Sequence, residues 1–128
     1  MPGRRGALYG TGFSYDAQVR REQFGSFLDT MEDFSDMRRL GAASLDLCMV
    51  ADGTLDGYSE RALHEHDWAA GALIAHEAGA VVHRPELPAP PALCDESHGS
   101  AAPERLQQRE AEYEKARLAS VIAAWSAG

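Results

Sequence analysis

Long apolar runs are absent. No stretch of the 128 residues approaches the ~20 consecutive apolar positions that a membrane span requires, so no membrane partner is expected. Basic charge is scarce as well: twelve lysines and arginines stand against twenty aspartates and glutamates, a formal charge of -8. That balance argues against nucleic acid or an anionic lipid surface as a partner, since both call for a basic footprint. Cysteine is nearly missing. Cys48 and Cys94 show no metal-type spacing, and Cys48 falls in an apolar helical run, where a buried free thiol is the expected state. A basic start, Met1-Pro2-Gly3-Arg4-Arg5, is followed by no apolar segment, so a secretory leader is not expected. Together these features give a cytoplasmic expectation.

What is present suits a folded chain. The apolar share of 45% is ordinary for a soluble protein and too high for wholesale disorder. Residues 7–13 read as a short buried strand ending on glycines, and Ser14-Tyr15-Asp16 signals a helix from Ala17 to about Glu32. Its apolar residues Val19, Phe24, Phe27, Leu28 and Met31 form one rough stripe. Gly41-Ala42-Ala43-Ser44 opens a second helix, apolar nearly all round from Leu45 to Ala51 and so expected to be buried. Asp52-Gly53-Thr54 reads as a turn. Leu55 to Glu60 alternates with period two, as a strand does. Asp67 starts a third helix that runs to Ala78 and stops at Gly79, and Ala80 to His83 is another short strand. Strands alternating with helices are the α/β signature. Residues 84–103 are a proline-rich linker, and residues 104–128 a charged C-terminal helix with Leu118, Val121, Ile122 and Trp125 at helical spacing.

The chemistry concentrates in residues 60–71. Asp67 stands at a helix start before the small residues Ala69, Ala70 and Gly71. One reading is a helix cap, with the carboxylate accepting backbone N–H bonds. The other is a ligand for a hard cation, because Mg²⁺ takes one or two protein carboxylates and then substrate phosphate. The small residues would let this helix approach a sheet closely. His64, Glu65, His66 and His76 suggest a transition-metal cluster, but their spacing fits a solvated helix approach better.

From Gly10 to Ala80 the chain resembles the C-terminal half of the inositol monophosphatase family. The pieces are Gly10-Thr-Gly-Phe-Ser-Tyr-Asp16, Arg38-Arg-Leu-Gly-Ala-Ala-Ser-Leu-Asp-Leu-Cys48, Ala51-Asp-Gly-Thr-Leu-Asp-Gly-Tyr58 with Glu60, His66-Asp-Trp-Ala-Ala-Gly71, and Glu77-Ala-Gly-Ala80. The family's second signature is usually Trp-Asp-x-Ala-x-Gly, and His66 replaces its tryptophan here. The resemblance implies the C-terminal part of a layered α/β/α/β/α fold, truncated, with residues 1–83 as its subdomain. It implies a Mg²⁺-dependent phosphomonoesterase acting on an inositol phosphate or a similar small phosphorylated polyol. Asp67 would be the metal-ligand aspartate. Glu60 would bind substrate hydroxyls, and Gly41, Ala42 and Ala43 would line the substrate pocket. Each has a plainer alternative: an exposed strand-end glutamate for Glu60, and simple helix packing for the three small residues. Ser14 matches a substrate-contacting serine, but a helix cap suits it better.

The family's first signature, Asp-Pro-x-Asp-Gly-Thr, and the metal-binding glutamate before it have no counterpart in the chain. The resemblance therefore assigns no catalytic side chain here, and the chain alone is expected to be inactive. A homodimer, or a missing N-terminal half in a separate chain, is the partner that this implies. A non-catalytic interaction or dimerisation module, or a decayed gene product, is the alternative.

Overall fold

The protein is described from a computed structural model, which defines residues 6–86, 111–112 and 120–125. Among the described residues five strands and three helices follow in the order β1 (Leu8–Thr11), α1 (Ala17–Asp33), β2 (Asp36–Arg38), α2 (Ala43–Ala51), β3 (Gly57–Arg61), α3 (Glu65–Glu77), β4 (Val81–His83) and β5 (Ser120–Ala124). They make a mixed sheet in the order β2-β1-β3-β5-β4. β1 runs parallel to both β2 and β3, whereas β5 lies antiparallel between β3 and β4. The α/β expectation holds.

Register follows from side-chain size. Tyr9 pairs with Gly57, Gly10 with Tyr58 and Thr11 with Ser59. Neighbours in a parallel pair share a face, so Gly10 leaves room beside Tyr58. A Cβ on Gly10 would lie 2.6 Å from Leu55 Cδ1 and 3.5 Å from Tyr58 Cδ2. Asp56 ties the same two strands at their start, its Oδ2 accepting the Leu8 N–H at 2.8 Å.

Helices α2 and α3 cover one face and pack on each other. The core holds Leu47, Val50, Leu55, Tyr58, Trp68, Ala72, Ala75, Val121 and Ala123. Gly71 sets the closeness of the two helices: a Cβ there would stand 2.8 Å from Leu47 Cβ and 3.2 Å from the Ser44 carbonyl oxygen. Gly71 thus serves the approach to α2, not the approach to the sheet that the sequence suggests, and Ala70 is exposed.

Three further expectations need correction. α2 is not buried all round, because Leu45 is 57% exposed on its outer side while the carboxylate-bearing Asp46 is fully buried. Helix α1 presents its apolar stripe incompletely covered, with Leu28 72% exposed and Gln23 as its buried residue. Residues 120–124, read as helix, form strand β5, whose Val121 and Ala123 point into the core and Ile122 outward. Trp125 follows, and its Nε1 donates to the Val50 carbonyl at 2.9 Å. The proline-rich linker from 87 onward and most of the charged helix lie outside the described residues. Asp52-Gly53-Thr54 is a turn, with Gly53 at φ +83° and the Asp52 carboxylate accepting the Thr54 N–H.

Candidate functional site

Parallel strands bring their carboxyl ends to one edge of a sheet, and the segments that leave them meet there. Here β1 leads into 12–16, β2 into 39–43 and β3 into 61–67. All of the expected site residues lie on these segments or at the strand end. Helices α1, α2 and α3 begin at the same edge, with their N–H groups facing it.

Glu60 is the centre of the arrangement. It stands on β3 one step beyond the Thr11–Ser59 pair, close beside Gly12. A Cβ on Gly12 would fall 2.3–2.4 Å from the Glu60 carboxyl atoms, so the carboxyl rests directly on the Gly12 backbone. On its other side Tyr58, 1% exposed, donates its hydroxyl to Glu60 Oε2 at 2.6 Å. Burial raises the Glu60 pKa and nearby Asp67 adds to that, while the Tyr58 hydrogen bond and the Arg39 guanidinium oppose it. The alternative of an exposed strand-end glutamate does not fit, since the residue is partly buried and held.

Asp67 sits at the third position of α3, not at its start. Its Oδ2 accepts the His64 N–H at 2.9 Å, closing the first turn from within the helix. Its side chain remains 38% exposed, with Oδ1 3.5 Å from His66 Nε2. Capping and an outward-facing oxygen thus coexist in one carboxylate. His64 and His66 stack with ring centroids 5.4 Å apart.

Gly41 takes φ +80°, a conformation that turns the chain into α2. Ala42 is the N-cap of α2 and offers no side-chain acceptor, and Ala43 is buried. The opening N–H groups of α2 therefore lack a side-chain cap, as suits an anionic ligand. Ser14 is not the cap of α1. Asp16 is, its Oδ1 accepting the Val19 N–H at 2.9 Å, while Ser14 Oγ accepts the Asp16 N–H. Ser14, Asp16, Glu22, Arg61, His64 and Asp67 line a cleft of about 700 Å³ between α1 and α3.

Among the described residues no three His, Cys, Asp or Glu side chains gather as ligands. Asp67 supplies one hard oxygen donor, which fits a Mg²⁺ ligand but does not by itself make a site.

Sequence reasoning missed Asp46, Tyr58, Arg39 and Gly12. Asp46 lies beneath the site on α2, 0% exposed, with neither carboxyl oxygen hydrogen-bonded among the described residues. Burial, and then the negative charge of Glu60, raise its pKa to about 6. The available signal was the matched period of Gly10-Thr-Gly12 against Tyr58-Ser-Glu60. Gly10 pairs with Tyr58, and Gly12 leaves room for the Glu60 carboxyl.

The model of the inositol monophosphatase family matches residues 2–121. Inositol-1-monophosphatase of Mycobacterium leprae is 49% identical over 84 residues, covering 66% of this chain and 29% of that protein. A Vibrio cholerae protein described as Nus factor SuhB is 44% identical over 79 residues, 61% of this chain and 30% of that one. The solved Mycobacterium tuberculosis SuhB superposes with a TM-score of 0.56 at 51% identity, over 60% of this chain and 31% of that chain. The extragenic suppressor protein suhB of Bartonella henselae superposes with a TM-score of 0.63 at 25% identity, over 98% and 40%. The chain spans under a third of the length of the curated relatives it matches.

Proposed function

The chain belongs to the inositol monophosphatase family, and on that premise we propose that it carries the polyol-binding half of a phosphomonoesterase site. Its substrate class is a small phosphorylated polyol such as an inositol phosphate. Glu60 accepts hydrogen bonds from substrate hydroxyls, oriented by Tyr58. The uncapped start of α2 at Gly41, Ala42 and Ala43 borders the same ligand. Asp67 contributes one oxygen to Mg²⁺, whose remaining carboxylates come from outside these residues. When bound, that cation supplies charge stabilisation to a phosphoryl group in displacement. The residues of this chain bind and orient, and without the further carboxylates it does not turn over.

The observation that carries this reading is convergence. Glu60, Asp67 and the α2 start stand at the carboxyl ends of parallel strands, around a partly buried acid already held in a fixed orientation. Titration of labelled chain with inositol 1-phosphate and Mg²⁺, followed by amide resonances, is the test. Perturbations at residues 41–43, 60 and 67 are expected; a response confined elsewhere, or none at saturating ligand, contradicts the reading.

A second reading, a non-catalytic interaction module, has support of its own. Leu28, Leu45 and Leu73 are each more than half exposed, and relatives described as Nus factor SuhB match the same stretch.

A further inference from the structure

Helix α1 has one buried residue, and it is polar. Gln23 is 8% exposed on the side of α1 that faces the sheet. Burying a carboxamide is unfavourable unless its groups find partners. Both do: Nε2 donates to the Gly12 carbonyl at 3.1 Å, and Oε1 accepts the Ser14 N–H at 2.8 Å. One side chain thereby holds the backbone on both sides of Phe13. Phe13 itself stacks on Phe24 of α1 with centroids 4.7 Å apart and meets Phe27 edge-on at 6.3 Å. An apolar residue at position 23 would pack α1 equally well, but it would leave the 12–14 backbone without these partners.

What the clamp fixes is the wall behind Glu60. Gly12 is the residue whose absent Cβ gives the Glu60 carboxyl its place, and its carbonyl is the group that Gln23 grips. We propose that Gln23 is a positioning residue for Glu60, setting through the Gly12–Ser14 loop the surface on which that carboxylate rests. This rests on the reading of Glu60 as the hydroxyl-binding acid. It adds that α1, which carries no ligand-contacting residue of its own at this point, controls the orientation of that acid. The Tyr58 hydroxyl holds the opposite side, so Glu60 is gripped between a phenol and a clamped loop.

The test reads the Glu60 side-chain carboxyl ¹³C resonance of the full chain at one fixed pH, assigned by its loss in Glu60→Gln. Gln23→Met keeps the bulk and removes both hydrogen bonds. Its Glu60 resonance is expected to shift toward that of a solvent-exposed glutamate. Asp16→Ala is the control, because it removes the cap of the same helix without touching the loop contacts of Gln23; there the resonance stays in place. An unmoved resonance in folded Gln23→Met overturns the proposal, and so does an equal shift in Asp16→Ala, which would reduce Gln23 to holding the helix. Should Gln23→Met not fold, Gln23→Glu keeps the acceptor for Ser14 N–H and loses the donor to Gly12, and the same two outcomes decide. The readout needs no turnover and no ligand, so a failed ligand titration leaves it standing and its failure leaves the ligand titration standing.

Discussion

Replacing Asp46 by asparagine should change how stability depends on pH, and in a direction opposite to ordinary acid denaturation. Asp46 is fully buried with both carboxyl oxygens unpartnered among the described residues. Its pKa rises from 3.8 to about 6, chiefly from burial and then from the charge of Glu60. A folded-state pKa above the unfolded one means that the folded chain holds the proton more tightly. The associated stability is complete below the unfolded pKa of 3.8 and is lost as pH rises to about 6. Each pKa unit corresponds to about 1.4 kcal/mol, so the ionised carboxylate costs about 3 kcal/mol at neutral pH. Asparagine keeps the shape and never ionises, but it introduces amide donors whose burial costs about 1–3 kcal/mol at every pH. That constant penalty cancels when the two proteins are compared across pH. Relative to wild type, Asp46→Asn should therefore gain about 3 kcal/mol between pH 3.5 and pH 7, on the order of 10 °C in Tm. Urea unfolding followed by tryptophan fluorescence at half-unit pH steps provides the measurement. A difference between the two proteins that does not vary with pH would refute the reasoning.

Other positions give simpler expectations. Gly71→Ala inserts a methyl 2.8 Å from Leu47 Cβ and close to the Ser44 carbonyl. Overpacking of about 1–3 kcal/mol outweighs the ~1 kcal/mol gain in helix propensity, so the urea midpoint should fall; a rise contradicts the close α2–α3 contact. Trp125→Phe removes the hydrogen bond to the Val50 carbonyl and should cost about 1–2 kcal/mol, read in the same unfolding assay. An unchanged midpoint there would mean that the indole does not anchor β5. Gly12→Ala drives a methyl into the Glu60 carboxyl and should lower stability by about 1–3 kcal/mol, with a displaced Glu60 visible by crystallography.

Most strands and helices from 8 to 83 were legible because their periods are clean and glycines punctuate them; β2 was not, being three residues long with charged residues at both ends. The end of the chain was not. Val121, Ile122 and Trp125 fall at a spacing that a helix also satisfies, and the charged run before them extended that reading. What decides is tertiary pairing, for β5 fills a gap between β3 and β4 that no local pattern announces. Glu60, Asp67 and Gly41 to Ala43 were singled out from motif pieces, and the fold brings them to one edge of the sheet. Their support was not singled out. Gln23 on a helix reads as solvent-facing, and Asp46 inside an apolar run reads as a break in it, so buried polar residues escape periodicity by nature. Asp67, read as a helix-start cap or a cation ligand, stands instead at the third helical position, where one oxygen accepts the His64 N–H and the side chain stays partly exposed.

We propose that these residues bind and orient but do not complete a catalytic site. Phosphate release from inositol 1-phosphate by the purified chain with Mg²⁺, alongside Asp67→Asn, tests it most directly. No release above background is expected from either protein, with both folded by circular dichroism. Release by the wild-type chain that disappears in Asp67→Asn would contradict it.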